Sequence, residues 1–301
     1  MHKKITNNIM NIILVSLIIL GIFVVILIFL KTPDDSTSNS LNSETKTVTS
    51  TEEIPEVPVE APKEVTKVKD PFEGLTLTDQ NVGVPVLYYH SVNPTEANEV
   101  IISPTKLKEQ LQFVKDSGYT TLTMTQLNDY LINNKSIPEK SILITFDDGY
   151  TDNYTNAFPI LKELNMNATV FIITSGIDSG YYMSSSQLKE MSDYGIDIES
   201  HTVNHLHLNQ LSYEKQLEEL KNSRDKLKSI INKEVTTVAY PFGDFNDDTK
   251  RAVKDAGYTF AFTTNRGYAD RDDSPILLDR IYVSSKYTME NFKDRLLNTK
   301  K

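Results

Sequence analysis

The sequence predicts an α/β protein, a distorted (β/α)7–8 barrel. From Val84 onward, apolar segments with many β-branched and aromatic residues alternate with amphipathic segments of helical period. This alternation is the pattern of parallel strands covered by helices. Seven or eight such units occupy about 220 residues, whereas a regular eightfold barrel needs about 250, so we expect distortion. Several predicted strands end at a carboxylate or a histidine, where barrels of this kind carry their catalytic groups.

Two segments precede the predicted barrel. Two N-terminal lysines are followed by an apolar run over residues 12–30, which is long enough for the roughly 20 residues that span a bilayer. No Ala-x-Ala cleavage pattern follows, so we interpret residues 1–31 as an uncleaved transmembrane signal anchor with its N-terminus in the cytoplasm. A cleaved signal peptide is the alternative. Residues 32–82 are rich in Ser, Thr, Glu and Pro, which predicts a disordered linker.

Residues 83–301 form the predicted folded domain. Ser103 and Pro104 supply an N-cap and a first-turn proline for its first helix, which ends before Gly118. The predicted strands are 84–90, 120–124, 141–146, 168–173, 196–199, 237–240, 259–263 and 277–283. The predicted helices are 104–117, 125–133, 157–164, 186–194, 213–232, 247–256 and 289–297.

Composition excludes several classes of function. The net charge is −10 and no basic block occurs after the N-terminus, which argues against a nucleic-acid partner. The chain contains no cysteine, so disulfides and thiolate catalysis are excluded. Any metal must therefore be bound by histidine and carboxylate side chains.

Two adjacent carboxylates end the predicted strand 141–146. Asp147 and Asp148 follow its apolar residues directly, and Gly149 comes next. Neighbouring side chains at a strand end point to different sides, so one carboxylate can hold a metal while the other faces a substrate. A simple Asp-Gly turn without chemistry is the alternative.

A pair of histidines follows another predicted strand. His201 and His205 are four residues apart, and on the first turn of a helix both imidazoles would point the same way. Two imidazoles and one carboxylate leave a metal with open positions, which is the pattern of a catalytic site. Surface or helix-capping histidines are the alternative for this pair alone.

Three segments together resemble a known family. Thr145–Gly149, His201–His205 and Tyr240–Gly243 are similar, in order and spacing, to the first three motifs of the polysaccharide deacetylases, carbohydrate esterase family 4 with its nodulation-deacetylase homology domain. The resemblance covers roughly residues 84–290. It implies a distorted (β/α)7 barrel and metal-dependent removal of acetyl groups from N-acetylglucosamine polymers.

The resemblance also implies roles for individual residues. Asp147 resembles the catalytic base, and the implied metal ligands are Asp148, His201 and His205, with Zn²⁺ expected although the family accepts other divalent ions. The backbone N–H of Phe242 resembles the family's second oxyanion donor, and the flanking residues of this motif are Tyr240 and Pro241.

The chain departs from the family in two places. Ala239 stands where many members have an arginine that pairs with the catalytic aspartate, and the segment that begins at Leu278 lacks the usual general-acid histidine. The strand that ends at His90 looks like the N-terminal strand of the biofilm poly-N-acetylglucosamine deacetylases, whose motifs are circularly permuted. Barrel closure would make the first and last strands neighbours, so we expect His90 to replace the missing histidine and Arg280 to pair with Asp147. An enzyme with impaired catalysis is the alternative.

Other aromatic and histidine side chains are weaker candidates. Tyr268 occupies the place of the family's fourth motif, and we expect it to stack on a sugar. Further candidates for the groove are Tyr88, Tyr89 and Tyr150, with buried packing as the alternative. His207 is either a substrate contact or a surface or helix-capping residue.

These observations favour a membrane-tethered N-deacetylase that acts outside the cell membrane. Its predicted partners are the membrane and an N-acetylglucosamine polymer, either an exopolysaccharide of the biofilm type or peptidoglycan. We expect a monomer. The alternatives are an O-acetyl esterase acting on xylan-type polymers and a catalytically inert glycan-binding barrel.

Overall fold

Seven parallel strands close into a barrel within residues 70–299, the part of the chain that the computed structural model describes. In chain order they are β1 (Val84–Tyr89), β2 (Ser141–Phe146), β3 (Thr169–Ile172), β4 (Asp197–Ser200), β5 (Thr237–Ala239), β6 (Phe260–Arg266) and β7 (Leu278–Tyr282). Around the barrel the order is β1, β7, β6, β5, β4, β3 and β2, and β2 pairs again with β1. The predicted barrel is therefore confirmed with seven strands, and β1 and β7 are neighbours.

Strand β1 closes the barrel through two shared register positions, Leu87 and Tyr88. Leu87 pairs with Ile144 of β2 on one side and with Ile281 of β7 on the other. Alternate side chains of β1 point to opposite faces of the sheet. Val86 belongs to a buried cluster with Leu143, whereas Leu87 belongs to the larger cluster formed with the surrounding helices. Both faces of β1 are thus buried, as its uninterrupted apolar sequence predicts.

The barrel is irregular where neighbouring strands pair briefly. Within the described strands, β5 meets β4 at one register position, Val238 opposite Ser200. The register between β6 and β7 shifts between Phe262 and Arg266. These irregularities are the distortion expected of a barrel with fewer residues than the regular eightfold form.

Seven helices accompany the strands in residues 70–299. They are α1 (Pro104–Asp116), α2 (Met124–Leu131), α3 (Phe158–Leu164), α4 (Ser185–Tyr194), α5 (Tyr213–Ile231), α6 (Asp247–Asp255) and α7 (Met289–Asn298). As predicted, the Ser103 hydroxyl caps α1 by accepting the N–H of Lys106, and Pro104 is the first helical residue. None of these helices is long and apolar enough to cross a membrane.

Short strands and turns complete the domain. The two-residue strands are Leu77–Thr78, Ser91–Val92, Ile101–Ile102, Thr120–Thr121, Ile137–Pro138 and Tyr268–Ala269. A π-helical turn at Asn153–Ala157 precedes α3, and 3₁₀ turns occur at Thr174–Gly176, Leu208–Gln210 and Pro241–Gly243.

The predicted strand 120–124 is wrong beyond its first two residues. Thr120–Thr121 pairs with β2 outside the ring of seven strands. The chain then turns into α2 because Thr123 and Gln126 form a capping box, in which each side chain accepts the backbone N–H of the other residue. The cap, rather than the β-branched composition, decides the local structure.

The linker predicted for residues 32–82 is also too long. Leu77–Thr78 pairs antiparallel with Ile137–Pro138, and the N–H of Val82 donates to the Tyr130 hydroxyl at 2.7 Å. Phe72 packs against the buried cluster of the barrel. Residues 70–82 are therefore part of the folded domain. The predicted signal anchor, 1–31, and residues 32–69 lie outside the described residues.

Strand β4 carries two carboxylates that are satisfied by backbone N–H groups. Glu199 accepts from Thr236 at 2.9 Å and from Thr237 at 2.8 Å, and burial raises its pKa well above the usual value. Asp197 accepts the N–H of Met124 at 2.7 Å, and burial raises its pKa to about 6. Both side chains join β4 to neighbouring segments, and both are harder to ionise than an exposed carboxyl group.

The raised pKa of Asp197 predicts a pH-dependent contribution to stability. The folded protein holds this proton more tightly than the unfolded chain, whose aspartates titrate near ~3.9, so the Asp197 contribution falls as pH rises from ~4 to ~6. Asp197→Asn, which is neutral at every pH, should gain stability relative to the wild type over this range, by up to about 3 kcal/mol.

Urea unfolding at pH 4, 5, 6 and 7 measures this difference directly. Asp193→Asn is a matched control, because Asp193 is an exposed carboxylate on α4. A stability difference between Asp197→Asn and wild type that stays constant across the series would contradict the assignment.

Candidate active site

The candidate site lies at the carboxyl ends of the barrel strands. His90 follows β1, Asp147 and Asp148 follow β2, and His201 follows β4. A cavity of about 280 Å³ opens there, and its lining includes all four of these residues, together with His205 and Phe242. The barrel thus brings together side chains that are far apart in the sequence.

Asp148, His201 and His205 form the predicted ligand cluster. Asp148 Oδ1 lies 3.4 Å from His201 Nε2 and 3.5 Å from His205 Nε2. One ligand atom from each residue lies within 4.8 Å of the other two. Tetrahedral zinc with bonds of about 2.0–2.1 Å requires neighbouring ligand atoms at ~3.3–3.5 Å, so the two carboxylate-to-imidazole distances fit such an ion.

The donor atoms of this cluster are free to bind a cation. Asp148 Oδ1 is buried and makes no hydrogen bond within the described part of the chain. His201 Nδ1 donates to the carbonyl oxygen of Ala239 at 2.7 Å, which orients the ring and leaves Nε2 facing the cluster. A buried carboxylate oxygen without a donor is costly unless a cation satisfies it, so the residues fit a divalent metal.

The two histidines converge by a route that the sequence analysis did not predict. Residues 201–207 are not helical, and Thr202 and His205 have φ values of 67° and 55°, in the left-handed region. The prediction of a helical first turn is wrong, because the loop is folded around Glu219 of α5. This carboxylate accepts the N–H groups of Val203 at 3.0 Å and Asn204 at 2.8 Å.

Glu219 is a site residue that sequence reasoning missed. It also accepts the side-chain amide of Asn204 at 2.6 Å and so fixes the loop between the two histidines. The sequence feature that could have revealed it is a polar stripe on the buried face of α5. This stripe lies beside apolar residues of the same face and consists of Gln216, Glu219 and Ser223, next to Leu220 and Leu227. Buried polar residues on a core-facing helix require partners, and here the partner is the histidine loop.

Asp147 lines the same cavity as the ligand cluster and pairs with Arg280. The two guanidinium nitrogens Nη1 and Nη2 donate to Oδ1 at 2.8 Å and to Oδ2 at 2.9 Å. Arg280 is fully buried, and its Nε donates to the carbonyl oxygen of Thr263 at 2.9 Å. Burial alone would raise the pKa of Asp147, but the charge and hydrogen bonds of Arg280, together with the charges of His201 and His90, outweigh burial and lower the pKa below the usual value. Asp147 is therefore an ionised carboxylate at neutral pH.

His90 lies on the cavity wall next to both aspartates. Its Nδ1 is buried and has no hydrogen-bond partner among residues 70–299. Burial lowers the pKa of His90, and the charges of Asp147 and Asp148 oppose this effect without cancelling it. The imidazole is therefore mostly neutral near pH 7, so a general-acid role requires that it first take up a proton during the reaction.

Phe242 stands at the mouth of the cavity. Its backbone φ is 60°, in the left-handed region, and the residue is 53% exposed to solvent. Its ring lies between two imidazoles, 4.5 Å from the ring centroid of His205 and stacked at 3.9 Å on His207. His207 Nδ1 contacts Asp244 Oδ2 at 2.6 Å. The interpretation of His207 as a surface residue therefore agrees better with the structure than a substrate contact, because its partly exposed imidazole stacks on Phe242.

Two residues of the Tyr-Pro-Phe-Gly segment support the fold around the cavity. The hydroxyl of Tyr240 is buried and donates to the carbonyl oxygen of Ile276 at 3.0 Å. Pro241 is buried and begins the 3₁₀ turn that carries Phe242. Their side chains thus position Phe242.

Tyr268 is not part of the site, and its predicted sugar-stacking role is wrong. It pairs with Pro85 at the start of β1, whereas His90 follows the end of that strand. Its hydroxyl donates to the carbonyl oxygen of Leu296 at 2.6 Å. At about 3.3 Å of rise per residue, Pro85 and His90 are separated by most of the barrel height. The ring therefore packs at the opposite end of the barrel.

Comparisons with known proteins agree with this geometry. Residues 134–261 match the family model described as polysaccharide deacetylase. The chain is 36% identical over 221 residues to YxkH of Bacillus subtilis (strain 168), which carries the name of a polysaccharide deacetylase, over 73% of this chain and 78% of that protein. It is 31% identical over 204 residues to a poly-beta-1,6-N-acetyl-D-glucosamine N-deacetylase of Staphylococcus epidermidis, over 63% of this chain and 70% of the relative.

A solved structure extends the similarity to three dimensions. The Streptococcus pyogenes deacetylase PplD, in complex with acetate, superposes with a TM-score of 0.68 at 33% identity, over 72% of this chain and 99% of that one. The barrel, the three motifs and these relatives lead to one conclusion: the chain belongs to the polysaccharide deacetylase family.

Proposed function

We propose that this protein is a divalent-metal-dependent hydrolase that removes N-acetyl groups from an N-acetylglucosamine polymer. The observation that carries the proposal is the pairing of two unlike carboxylates at one strand end. Asp148 converges with His201 and His205, while Asp147 is held by Arg280 against the same cavity. A cation site beside an ionised, metal-free carboxylate is what hydrolysis of an unactivated amide requires.

Each step of amide hydrolysis has a candidate group in this chain. A Zn²⁺ ion bound by Asp148, His201 and His205 would supply Lewis-acid chemistry and lower the pKa of a water molecule toward ~7. Asp147 is ionised and accepts the proton of the attacking water. The backbone N–H of Phe242 donates to the oxyanion of the tetrahedral intermediate. His90, after taking up a proton from solvent, then protonates the amine as the C–N bond breaks.

For the substrate and location, we propose a polymer of the biofilm type outside the cell membrane. Similarity to the S. epidermidis N-deacetylase and the position of His90 directly after the first barrel strand support this polymer class. The apolar run in residues 12–30 supports a membrane anchor with the barrel on the outer side.

Acetate release from the purified full chain tests the proposal. Poly-N-acetylglucosamine, peptidoglycan, chitooligosaccharide and acetylxylan are compared, with Zn²⁺ added and with chelator. We expect metal-dependent release from the N-acetylated glucosamine polymers. Release from acetylxylan alone would identify an O-acetyl esterase, and binding of a glycan without release from any substrate would identify an inert glycan-binding barrel.

The ligand assignment predicts that His205→Ala loses both metal and activity. Three protein ligands leave little redundancy, so the variant should retain well under one equivalent of Zn²⁺ after dialysis and release no acetate. Elemental analysis and the acetate assay measure the two losses. Stoichiometric zinc in the folded variant would show that the assignment is incorrect.

The assignment of the base predicts that Asp147→Asn keeps the metal but not the activity. The amide is not basic enough to take the proton of water, so turnover should fall by roughly 10²–10⁴ while zinc content stays near wild type. This variant is also the matched control for His205→Ala, because it changes a side chain in the same cavity. Near-wild-type turnover across pH 5–9 would exclude Asp147 as the base.

The role of His90 predicts a loss confined to the chemical step. His90→Ala should keep its zinc and lower kcat by roughly 10²–10⁴ on an N-acetylated polymer. Aryl acetates, whose leaving group needs no proton, should lose much less activity. Equal losses on the amide and on the activated ester would argue that His90 shapes the cavity instead of donating a proton.

A further inference from the structure

Three tyrosines form an aromatic cluster beside the ligand residues. Tyr150 and Tyr182 stack with ring centroids 5.4 Å apart and an interplanar angle of 13°. The ring of Tyr181 meets Tyr150 at 5.3 Å and Tyr182 at 5.1 Å, both edge to face. Tyr181 is 68% exposed, while the other two rings are partly buried. We call Tyr150, Tyr181 and Tyr182 the tyrosine platform.

The topology places the platform beside the segments that carry Asp148 and His201. Strand β3 lies between β2, which precedes Asp148, and β4, which precedes His201. The loop that leaves β3, residues 173–184, therefore emerges between the two ligand segments, and it carries two of the tyrosines. The charge of Asp148 contributes, after burial, to raising the pKa of both Tyr150 and Tyr182, as expected for rings close to that carboxylate.

Hydrogen bonds fix this loop to both ligand segments. On the histidine side, Thr174 N–H donates to the carbonyl oxygen of Thr202 at 3.1 Å. On the aspartate side, Thr151 N–H donates to Tyr181 O at 3.0 Å, and Met183 N–H donates to Gly149 O at 3.0 Å. The backbone of the platform is thus joined by hydrogen bonds to the turn that holds Asp148 and to the histidine loop.

A glycine explains how the Tyr182 ring is held. A Cβ atom on Gly176 would lie less than 3.0 Å from three carbon atoms of that ring, which is closer than Cβ atoms approach other carbon atoms in proteins. The ring therefore rests directly on the glycine backbone. Close backbone approach of this kind keeps the ring plane fixed, and the stacked Tyr150 ring follows it.

We propose that the tyrosine platform is a saccharide subsite, which binds a sugar unit next to the one that carries the reacting acetyl group. Tyrosine rings offer an apolar face for the C–H face of a pyranose and a hydroxyl for its polar rim, and none of them is charged. An uncharged polymer of acetylated sugars matches this surface. The platform is not part of the ligand cluster. Its contacts should therefore strengthen the binding of longer oligomers without changing the chemistry at the acetyl group.

This inference rests on the proposed function, and chain length is the variable that tests it. Tyr181→Ala should lower kcat/KM on N-acetylglucosamine oligomers of five or more units by roughly 3- to 10-fold, the range expected for one aromatic contact. Activity on a small aryl acetate should not change. Tyr181→Phe, which keeps the ring, should retain most of the activity on the oligomers.

Tyr194→Ala is the matched control. Tyr194 is another exposed tyrosine, 51% accessible, at the end of α4, where its ring contacts Phe158. The full-length variant should have the wild-type kcat/KM on every substrate. Equal kcat/KM on long oligomers for Tyr181→Ala and wild type would overturn the subsite.

Failure of the proposed function gives a different pattern. If the wild type releases no acetate from any oligomer, calorimetric titration of the full chain with the same oligomers still measures binding at the platform. Binding that Tyr181→Ala weakens would support the subsite, and binding that it leaves unchanged would overturn it. Cosedimentation with phosphatidylglycerol vesicles that depends on Tyr181, together with unchanged oligomer kinetics, would instead identify a lipid contact and overturn the sugar assignment.

Discussion

The buried ion pair between Arg280 and Asp147 is the interaction on which the candidate site depends. Arg280 is inside the barrel, where an unpaired charge would be strongly unfavourable, and loss of one partner from such a pair typically costs about 3–5 kcal/mol. Its guanidinium also contacts the ring face of Tyr88 at 4.2 Å and the backbone of Thr263. One side chain of β7 thus joins β1, β2 and β6, and it fixes the carboxylate beside the ligand cluster in both orientation and charge.

Around this pair, the backbone itself carries strain. Asp148, Thr202, His205 and Phe242 all have positive φ values between 55° and 73°, and none of them is glycine. Such conformations cost of order 1–3 kcal/mol each and persist where the surrounding structure supports them. Here the support includes the carboxylate of Glu219 beneath the histidine loop. Asp148 and Asp147 are adjacent, yet Asp148 joins His201 and His205 whereas Asp147 pairs with Arg280.

Sequence patterns predicted the parts of the molecule that depend on short-range periodicity or on motifs. The alternation of strands and helices predicted the barrel, and the apolar first strand predicted its closure between β7 and β2. The geometry of the histidine loop was not predictable from the sequence. The His-x3-His spacing suits a helix, but the loop is held in a non-helical conformation by Glu219, which is distant in the sequence. Tyr268 was misplaced for a related reason: motif position gives no information about which end of the barrel a short antiparallel strand reaches.

Barrel closure has a consequence for the order in which the site assembles. The ligands Asp148, His201 and His205 follow β2 and β4, which belong to the middle of the barrel sequence, whereas Arg280 belongs to β7. The β1–β7 contact joins residues roughly 200 positions apart, so it carries a high loop-closure entropy and is expected late in folding. We expect Asp148, His201 and His205 to come together before β7 docks, while Asp147 still lacks its counter-charge. On this view the last strand to dock supplies the guanidinium that pairs with the Asp147 carboxylate.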